Sequence, residues 1–302
     1  MQFAYYPGCS LKATGRVYND STIAIVKPFD LELIELDDWN CCGATSYMSV
    51  RELLSVSISA RNLSLAQRQG MDIVAPCSAC FTVLRKTDHY LAEIPDLRKK
   101  VAGVLAAADL SYDPGSVRVR HLLDVFTRDG FLERLRALVT RPLHELRVAP
   151  YYGCQVVRPR VDFDDPEFPT SMDRLLGVIG AKVVYYPVKS RCCGGSLMAS
   201  NPRAALRLCK NLLLCAQQAK ADCIATSCPL CQINLDAFQE QVNTAYGTDF
   251  HIPVLYFTQL MGLAMDLPAP TLGFGREIVS ARRLTERLGE AVRALPPRQV
   301  AV

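Results

Sequence analysis

The sequence predicts an α/β protein built from two Rossmann-like halves, related by a pseudo-twofold axis, each with a parallel sheet. Three observations support this fold class. Short apolar runs alternate with stretches of helical spacing, which is typical of βαβ units. A cysteine pattern occurs twice along the chain, at a period of roughly 150 residues. Each cysteine motif follows a predicted strand, so the motifs of one half are expected at the carboxyl ends of the strands, on one edge of a sheet.

The first half opens with an apolar run that leads to a glycine and a cysteine, which predicts a strand and a tight turn. Alternating apolar and acidic residues at 31–36 indicate a half-buried strand. Gly70 marks the expected end of a long helix. The predicted elements are, in order, a strand at 3–7, a helix at 17–26, a strand at 31–36, a helix at 50–69, a strand at 71–75 and a helix opening at 81–86.

Residues 88–146 are interpreted as a connecting region, with a further strand at 117–120 and a helix at 122–139. Pro95, 113–115 and 141–142 are the expected breakers. Basic side chains accumulate here, either as a solvated face or as a docking face for an acidic electron-transfer partner. They are Arg98, Lys99, Lys100, Arg118, Arg120, Arg128, Arg134, Arg136, Arg141 and Arg147.

The second half repeats this order, and two prolines at 268 and 270 separate it from a tail. A helix is predicted over 277–295, with an apolar stripe that packs on the body or on a neighbouring protein of a complex. The predicted domains are 1–140, 141–267 and a helical tail at 268–302. The predicted elements are strands at 147–152, 182–187, 222–227 and 252–256, and helices at 171–179, 202–219 and 258–265.

Composition narrows the function classes. The formal charge of the 302-residue chain is only +4, which gives no case for nucleic-acid binding. No apolar run approaches the ~20 residues that span a bilayer, and no export signal is seen, so a cytoplasmic location is expected. Thirteen cysteines in such a chain favour a metal-binding or catalytic role over disulfides. Cys209, Cys215 and Cys223 have no counterpart in the first half and are interpreted as small buried hydrophobes.

The other ten cysteines form one pattern, used twice. A single cysteine precedes an adjacent pair, and a CxxC motif follows. The intervals are 31 and 34 residues in the first half and 37 and 34 in the second. The two predicted sets are Cys9, Cys41, Cys42, Cys77 and Cys80, and Cys154, Cys192, Cys193, Cys228 and Cys231.

Five thiols at one site exceed the four ligands of zinc or of an ordinary iron–sulfur cluster. The fifth thiol is inert, is redox-active, or binds an unusual cluster with extra iron positions. None of the four histidines lies in a motif, although His121 follows a predicted strand and could reach the site. Two one-electron centres beside one cleft would suit the two-electron cleavage of a disulfide, with one sulfur captured at each. A zinc-binding scaffold without a redox role is the alternative.

The doubled pattern C–x(31–39)–CC–x(34–36)–CxxC resembles the CCG, or cysteine-rich, domain. The segments 5–10 and 253–260 (YYPGCS and PVLYFTQL) are similar to the B subunit of heterodisulfide reductase. This resemblance covers residues 1–265. It implies that the five cysteines of each half bind a noncubane [4Fe-4S] cluster, although zinc could replace one of the two.

The resemblance also implies partners and substrates. In the family, electrons arrive from a ferredoxin-like C subunit, which receives them from a flavin-containing A subunit. The substrate is a small thiol or disulfide, or sulfur bound to a lipoyl carrier. The expected activity is that of an oxidoreductase acting on sulfur groups. An alternative within the same family is an electron-relay subunit of a lactate, glycolate or glycerol-3-phosphate dehydrogenase complex.

Overall fold

The computed structural model describes residues 1–44, 50–128, 130–158 and 162–289. Two four-stranded sheets form the framework, one in each half, and every strand pair in them is parallel. The predicted α/β class with two similar halves is therefore confirmed.

The first half alternates strand and helix as its hydrophobic pattern predicts. Its strands are β1 (Gln2–Tyr5), β2 (Glu32–Glu35), β3 (Ile73–Ala75) and β4 (Val119–His121). Its helices are α1 (Gly8–Lys12), α2 (Arg16–Val26), α3 (Glu52–Gln69), α4 (Ser78–Glu93), α5 (Pro95–Ala106), α6 (Leu122–Thr127) and α7 (Phe131–Leu138), with a 3₁₀ turn at Lys27–Phe29.

The second half repeats the arrangement. Its strands are β5 (Arg147–Tyr151), β6 (Lys182–Val183), β7 (Cys223–Thr226) and β8 (Val254–Tyr256). Its helices are α8 (Ser171–Val178), α9 (Pro202–Gln218), α10 (Pro229–Ala237), α11 (Gln239–Tyr246), α12 (Phe257–Ala264) and α13 (Arg282–Arg287), with a 3₁₀ turn at Gly195–Leu197.

The two sheets have the same strand order, so the internal duplication of the sequence is also present in the structure. The orders are β2-β1-β3-β4 and β6-β5-β7-β8. In each sheet the first strand in sequence pairs with the second and the third, and the fourth lies at the edge. The carboxyl ends of the two central strands, where the single cysteine and the CxxC motif follow, are therefore neighbours.

Several predicted boundaries were wrong, for identifiable reasons. Pro95 is not among the errors: it separates α4 from α5, as a breaker should, and begins α5 at the first helical position, where its missing N–H is not needed. The helix predicted over 122–139 is two helices, because Gly130 between them has a φ of 77°. The strand predicted over 182–187 ends after Val183.

The tail packs on the body in part. Leu284 is 3% exposed and Leu288 is half-buried against the same core, as the predicted apolar stripe requires. Helix α13 covers only six residues of the predicted 277–295. The remaining stripe positions, Val292 and Leu295, lie outside the described residues.

Helices of both halves pack against each other. Helix α2 lies on α12, and α6 lies on α8, so that each half contributes one helix to each contact. Ser21 on α2 shares a buried hydrogen bond of 2.7 Å with Thr258 on α12. A hydrophobic core that includes residues of both halves accompanies these contacts, and a second core lies within the second half. The two halves are therefore one packed body.

The basic residues of the connecting region do not form one face. Arg120 is 6% exposed and pairs with Asp124 at 2.8 Å, whereas Arg98 and Lys99 are exposed on α5. Among the described residues, no helix has both the length and the apolar character needed to cross a bilayer.

Candidate functional site

The first cysteine set lies at the carboxyl ends of three strands. Cys9 is in α1, directly after β1, and Cys41 and Cys42 follow β2. Cys77 is the N-cap of α4, and Cys80 lies in the first turn of that helix. The βαβ topology thus gathers five residues that lie up to 71 positions apart in the sequence.

The second set occupies the equivalent places. Cys154 follows β5, and Cys192 and Cys193 come between β6 and the 3₁₀ turn. Cys228 is the N-cap of α10, and Cys231 lies in its first turn. All ten cysteines are free thiols.

The sulfur atoms converge within each set. Cys42 Sγ lies 3.4 Å from Cys80 Sγ, and in the second half Cys193 Sγ lies 3.6 Å from Cys231 Sγ. These four side chains are buried. The exposed members of the ten patterned cysteines are Cys9, Cys41 and Cys192. Each set therefore has a buried base and an open side.

Hydrogen bonds among the thiols connect the members of each set. In the second half they run through all five, in the order Cys154, Cys192, Cys193, Cys231 and Cys228. In the first half they run through four, in the order Cys41, Cys42, Cys80 and Cys77, and Cys9 lies near enough to raise the pKa of Cys41.

Two glycines make room for these sulfurs. Gly8 and Gly153 precede the single cysteines, with φ values of 64° and 69°. A Cβ atom at Gly8 would lie 2.9 Å from Cys80 Sγ, and one at Gly153 would lie 3.0 Å from Cys231 Sγ. Glycine is thus needed both for the backbone conformation and for the approach of the sulfur.

Two tyrosines hold the paired-cysteine segments in place. The hydroxyl of Tyr6 donates to the carbonyl of Asn40 at 2.6 Å, and that of Tyr151 donates to the carbonyl of Arg191 at 2.8 Å. Each acceptor immediately precedes a cysteine pair. Sequence reasoning did not single out these tyrosines, although each stands three positions before its single cysteine.

Thiol hydrogen bonds and helix geometry lower some of the pKa values. A hydrogen bond from Cys41 is the largest cause that lowers the pKa of Cys42 well below the usual range. A hydrogen bond from Cys154 lowers the pKa of Cys192 to about 2. The Cys231 thiol and the N–H groups at the start of α10 lower that of Cys228 to about 7. The backbone N–H groups at the start of α10 thus stabilise a thiolate at Cys228.

The two sites meet where Ser78 of the first half reaches the second. Its hydroxyl donates to the carbonyl of Ser227 at 3.2 Å and lies within hydrogen-bonding reach of Cys228. His121 Nδ1 accepts from Leu123 N at 3.0 Å, so the neutral ring carries its proton on Nε2, 3.3 Å from Ser78. His121 is fully buried, which lowers its pKa to about 3. It is thus a neutral donor at the junction between the sites.

A stacked tyrosine pair lies at the same junction. The rings of Tyr18 and Tyr256 are parallel, with centroids 4.2 Å apart. Burial is the largest cause that raises the pKa of each tyrosine. The next cause is Tyr256 for Tyr18 and Cys228 for Tyr256, and both Cys77 and Cys228 raise the pKa of each ring. One tyrosine comes from each half. No cysteine or histidine motif marks this pair, so the sequence analysis missed it.

Of the unpatterned cysteines, Cys209 and Cys215 lie on α9 and Cys223 lies in β7. Cys215 is half-buried, so its prediction as a buried thiol was wrong. Cys209 and Cys223 are fully buried, and burial raises their pKa values. Cys209 also receives a hydrogen bond from Asn234 at 3.0 Å, and the same amide donates to the carbonyl of Cys193. The Asn234 amide thus holds the backbone of Cys193 in the second site.

The chemistry of the thiol ligands determines which metal centres these sites can bind. Thiols are soft ligands that favour iron–sulfur clusters or zinc over magnesium and calcium. Within the described ranges, no group of three or more His, Cys, Asp or Glu has the arrangement of a single-ion site. Ten free thiols in two convergent sets fit iron–sulfur clusters, and the assignment of each cysteine as a ligand stays a prediction.

Comparison with known proteins agrees with this geometry. The model of the CCG cysteine-rich domain matches the chain twice, at residues 3–85 and 148–236. Each match contains one complete cysteine set.

Curated relatives match over nearly the whole chain. The membrane anchor subunit of the 8-methylmenaquinol:fumarate reductase of Wolinella succinogenes is 32% identical over 94% of this chain and 99% of the relative. The B subunit of the ferredoxin/F420H2-dependent CoB-CoM heterodisulfide reductase of Methanosarcina acetivorans is 28% identical, over 92% and 94%. A protein of Archaeoglobus profundus that is named as similar to the heterodisulfide reductase B subunit is 28% identical, over 95% and 96%.

A crystal structure of a hypothetical protein from Helicobacter pylori has the same fold, with a TM-score of 0.72 and 14% identity. The match covers 92% of this chain, which spans about half (52%) of that protein's length. At this identity the likeness concerns the fold alone.

Proposed function

The chain belongs to the CCG cysteine-rich domain family, and from that premise we propose that it is the iron–sulfur catalytic subunit of a heterodisulfide-reductase-like complex. A redox iron–sulfur role is common to the relatives. The proposal adds a reaction, the making or breaking of a sulfur–sulfur bond in a thiol, disulfide or sulfane-sulfur substrate.

The meeting of the two cysteine sets at one junction is the observation that carries this proposal. Ser78, next to one ligand position, contacts Cys228, a ligand position of the other half. Disulfide cleavage needs two electrons, whereas iron–sulfur clusters pass one at a time. Two clusters beside one cleft would supply both electrons without a long transfer between them.

We assign five cysteines to each of two noncubane [4Fe-4S] clusters. In this assignment the buried thiols would hold the inner side of each cluster, and the exposed ones would hold its solvent side. The main alternative assignment is that zinc replaces one of the two clusters. The assigned ligands are Cys9, Cys41, Cys42, Cys77 and Cys80 for one cluster and Cys154, Cys192, Cys193, Cys228 and Cys231 for the other.

The proposed reaction is balanced by two electrons and two protons. One sulfur–sulfur bond breaks, two thiols form, and each sulfur accepts one electron and one proton. The reverse direction releases the same electrons and protons. Cys9, Cys41 and Cys192 are exposed, so a sulfur compound has access to both sites from solvent.

The proposed partners are a ferredoxin-like C subunit and a flavin-containing A subunit of a cytoplasmic complex. The name of the Methanosarcina relative includes a ferredoxin or F420H2 as electron source. Small disulfides and lipoyl-bound sulfur are the substrate classes to test first.

An electron-relay subunit is the second candidate, and the Wolinella relative favours it. That protein is named as part of a menaquinol:fumarate reductase, an activity in which no sulfur substrate is named. In this case the same clusters would pass electrons between a quinol and a partner protein. A zinc-binding scaffold without redox activity is the third.

The test uses protein purified without oxygen, reduced with titanium(III) citrate and freed of excess reductant. The CoM–CoB mixed disulfide and oxidised lipoamide serve as probes, and released thiols are counted. The catalytic proposal predicts about one disulfide cleaved per two stored electrons. Cys192→Ser should abolish cleavage, whereas Cys215→Ser, at a half-buried unpatterned cysteine, should not. Stored electrons that reduce a quinone analogue but neither disulfide would favour the relay.

A further inference from the structure

Five buried hydroxyls at the junction have no hydrogen-bond partner among the described residues. Each belongs to a side chain with 2% or less of its surface exposed. Buried polar groups are nearly always bonded to protein or to ordered water. They are Tyr18, Thr22, Thr226, Ser227 and Tyr256.

These hydroxyls form one group in the fold. Tyr18 stacks on Tyr256, and Thr22 lies one helical turn further along α2. Thr226 is the direct neighbour of Tyr256 in the β7–β8 pairing, and Ser227 follows it. Buried polar groups that lack a protein partner are the places where proteins hold ordered water.

The positions related to these by the pseudo-twofold repeat lack such a group. Ala75 and Pro76 stand before Cys77, where the second half has Thr226 and Ser227 before its own CxxC motif. Phe163 follows its single cysteine by nine residues, as Tyr18 does. The fourth strand ends in His121, whose ring nitrogens are bonded. The scaffold therefore does not require the hydroxyls.

A polar cavity of about 60 Å³ joins this group from the side of the tail. Tyr256, Gln259, Asp236 and Glu277 line it, together with Gln232. Gln259 is 1% exposed and faces Glu277, yet its Nε2 makes no hydrogen bond within the described part of the chain. Tyr256 belongs to both the hydroxyl group and the cavity wall, so it connects them.

The two carboxylates in the cavity wall differ in how they are held. Asp236 accepts from the backbone N–H groups of Ile278 and Val279, at 2.9 and 3.1 Å, and from Gln232 at 3.2 Å. Asp236 is thus fixed by three donors.

Glu277 is held more loosely. Its Oε2 accepts from Gly275 N at 2.9 Å, whereas Oε1 makes no well-formed hydrogen bond in the described ranges and has the Gln259 amide as the donor that faces it. The charged groups facing it are Asp236 on α10 and Arg276, and Arg276 pairs with Asp20 on α2 at 2.8 Å. Burial is the main cause that raises the pKa of both carboxyl groups.

We propose that Glu277, Gln259, Tyr256 and Tyr18 form a proton-uptake branch that serves the cysteine sites at the junction. The inference rests on the redox iron–sulfur role of the chain, and not on the disulfide chemistry. One electron from a one-electron donor adds negative charge near Tyr256. That charge favours protonation of the Glu277 carboxylate, so one proton moves from solvent to it.

In the proposed disulfide chemistry, this branch would deliver protons from the Tyr256 side of the junction only. A proton held at Glu277 reaches the junction through water in the cavity and the tyrosine hydroxyls, while the Gln259 amide hydrogen-bonds to that water and orients it. The His121 side, where the donors are already bonded, supplies none. The two product thiols would then be protonated from different directions.

Proton uptake during reduction tests this branch without any substrate. Anaerobic protein in unbuffered solution at pH 7 with a pH-indicator dye is photoreduced by a deazaflavin, and the protons taken up per electron are counted against a protein-free blank. Glu277→Gln should at least halve this number. Tyr256→Phe should leave this number unchanged, because the tyrosine lies on the junction side of Glu277. Glu240→Gln, at an exposed position on α11, is the matched control.

Iron content and folding are checked first in every variant. Wild-type uptake per electron in Glu277→Gln, at equal iron content, would overturn the inference. A lower number in Tyr256→Phe, at equal iron content, would place the tyrosine on the solvent side of Glu277 and overturn the proposed order of the branch. Neither result depends on disulfide cleavage, so a failed cleavage assay leaves the branch intact and a failed branch leaves the cleavage proposal intact.

Discussion

The two halves place their cysteines alike but fill the space between the sites differently. Gly8 and Gly153 admit a sulfur in the same way, and Tyr6 and Tyr151 make the same hydrogen bond. At the junction, however, one side has a bonded histidine and the other a tyrosine with an unpartnered hydroxyl among the described residues.

This difference separates two kinds of residue. Positions that shape the sulfur sites are the same in both halves, because both scaffolds must bring five thiols together. Positions between the sites need only be filled, and there the halves have different chemistry. The repeated features should therefore show equal effects in the two halves, and the junction should show unequal ones.

The largest expected effect concerns the two glycines. Gly8→Ala and Gly153→Ala each crowd one sulfur, so each should lose about half of the bound iron, as measured per chain after anaerobic purification. Gly70→Ala and Gly247→Ala are matched controls, because their φ values are 63° and 64° and nothing lies within 4 Å of the added Cβ. They share the backbone strain of roughly 1–2 kcal/mol but should keep all the iron.

Iron loss in the controls would mean that backbone strain, rather than crowding of a sulfur, removes the cluster. Loss in Gly8→Ala alone would mean that the halves are not equivalent, and the comparison would fail at its first step.

The next effect is specific to the His121 side. Its pKa of about 3 lies below the ordinary value of 6.5, so folding requires the neutral ring. The stability this gives is present above pH 6.5 and is lost as the pH falls toward 3. Between pH 7 and pH 5 the loss should be about 2 kcal/mol. Urea unfolding of metal-free wild type and His121→Phe should show this pH dependence in the wild type only.

Tyr256, at the equivalent position, offers the control. Tyr256→Phe should keep the wild-type dependence on pH, since the hydroxyl does not titrate in this window. An equally steep loss in His121→Phe would assign the acid sensitivity to other groups.

A smaller and equal effect is expected for the repeated tyrosines. Tyr6→Phe and Tyr151→Phe each remove one hydrogen bond to a carbonyl, which should cost about 1 kcal/mol of unfolding free energy. Tyr185→Phe, at a residue that is 85% exposed, should cost almost nothing. Denaturant midpoints measure all three. A cost confined to one half would show that only one of the two bonds matters.

The smallest effect is a difference in thiol reactivity in the metal-free protein. Cys41 and Cys192 are both exposed first members of a cysteine pair. Hydrogen bonding to Cys42 raises the pKa of Cys41, whereas that from Cys154 lowers the pKa of Cys192 to about 2. Iodoacetamide at pH 6 should therefore modify Cys192 several-fold faster, as peptide mass spectrometry can show. Equal rates would contradict this asymmetry.

The sequence predicted the architecture and the cysteine sites well because both repeat. Alternating strands and helices, and motifs placed after strands, are local signals, and the parallel topology turns them into proximity. Cys9 and Cys80 could be placed on one sheet edge without coordinates for this reason.

The junction could not be predicted, because it depends on how the halves pack. Nothing near Tyr18 in the sequence indicates that it stacks on Tyr256, 238 residues later. Glu277 was assigned to a tail helix, yet it lies before α13 and lines a cavity of the body. Such contacts come from tertiary packing, which cannot be read from hydrophobic periodicity or secondary-structure propensity.

Metal analysis tests the central claim, two equivalent cysteine sites, most directly. Iron, acid-labile sulfide and zinc are quantified per chain in protein purified without oxygen. Two four-iron clusters predict about eight irons and eight sulfides, with little zinc. About four irons with one zinc would contradict equivalent redox sites, end the paired one-electron scheme and favour the electron-relay role.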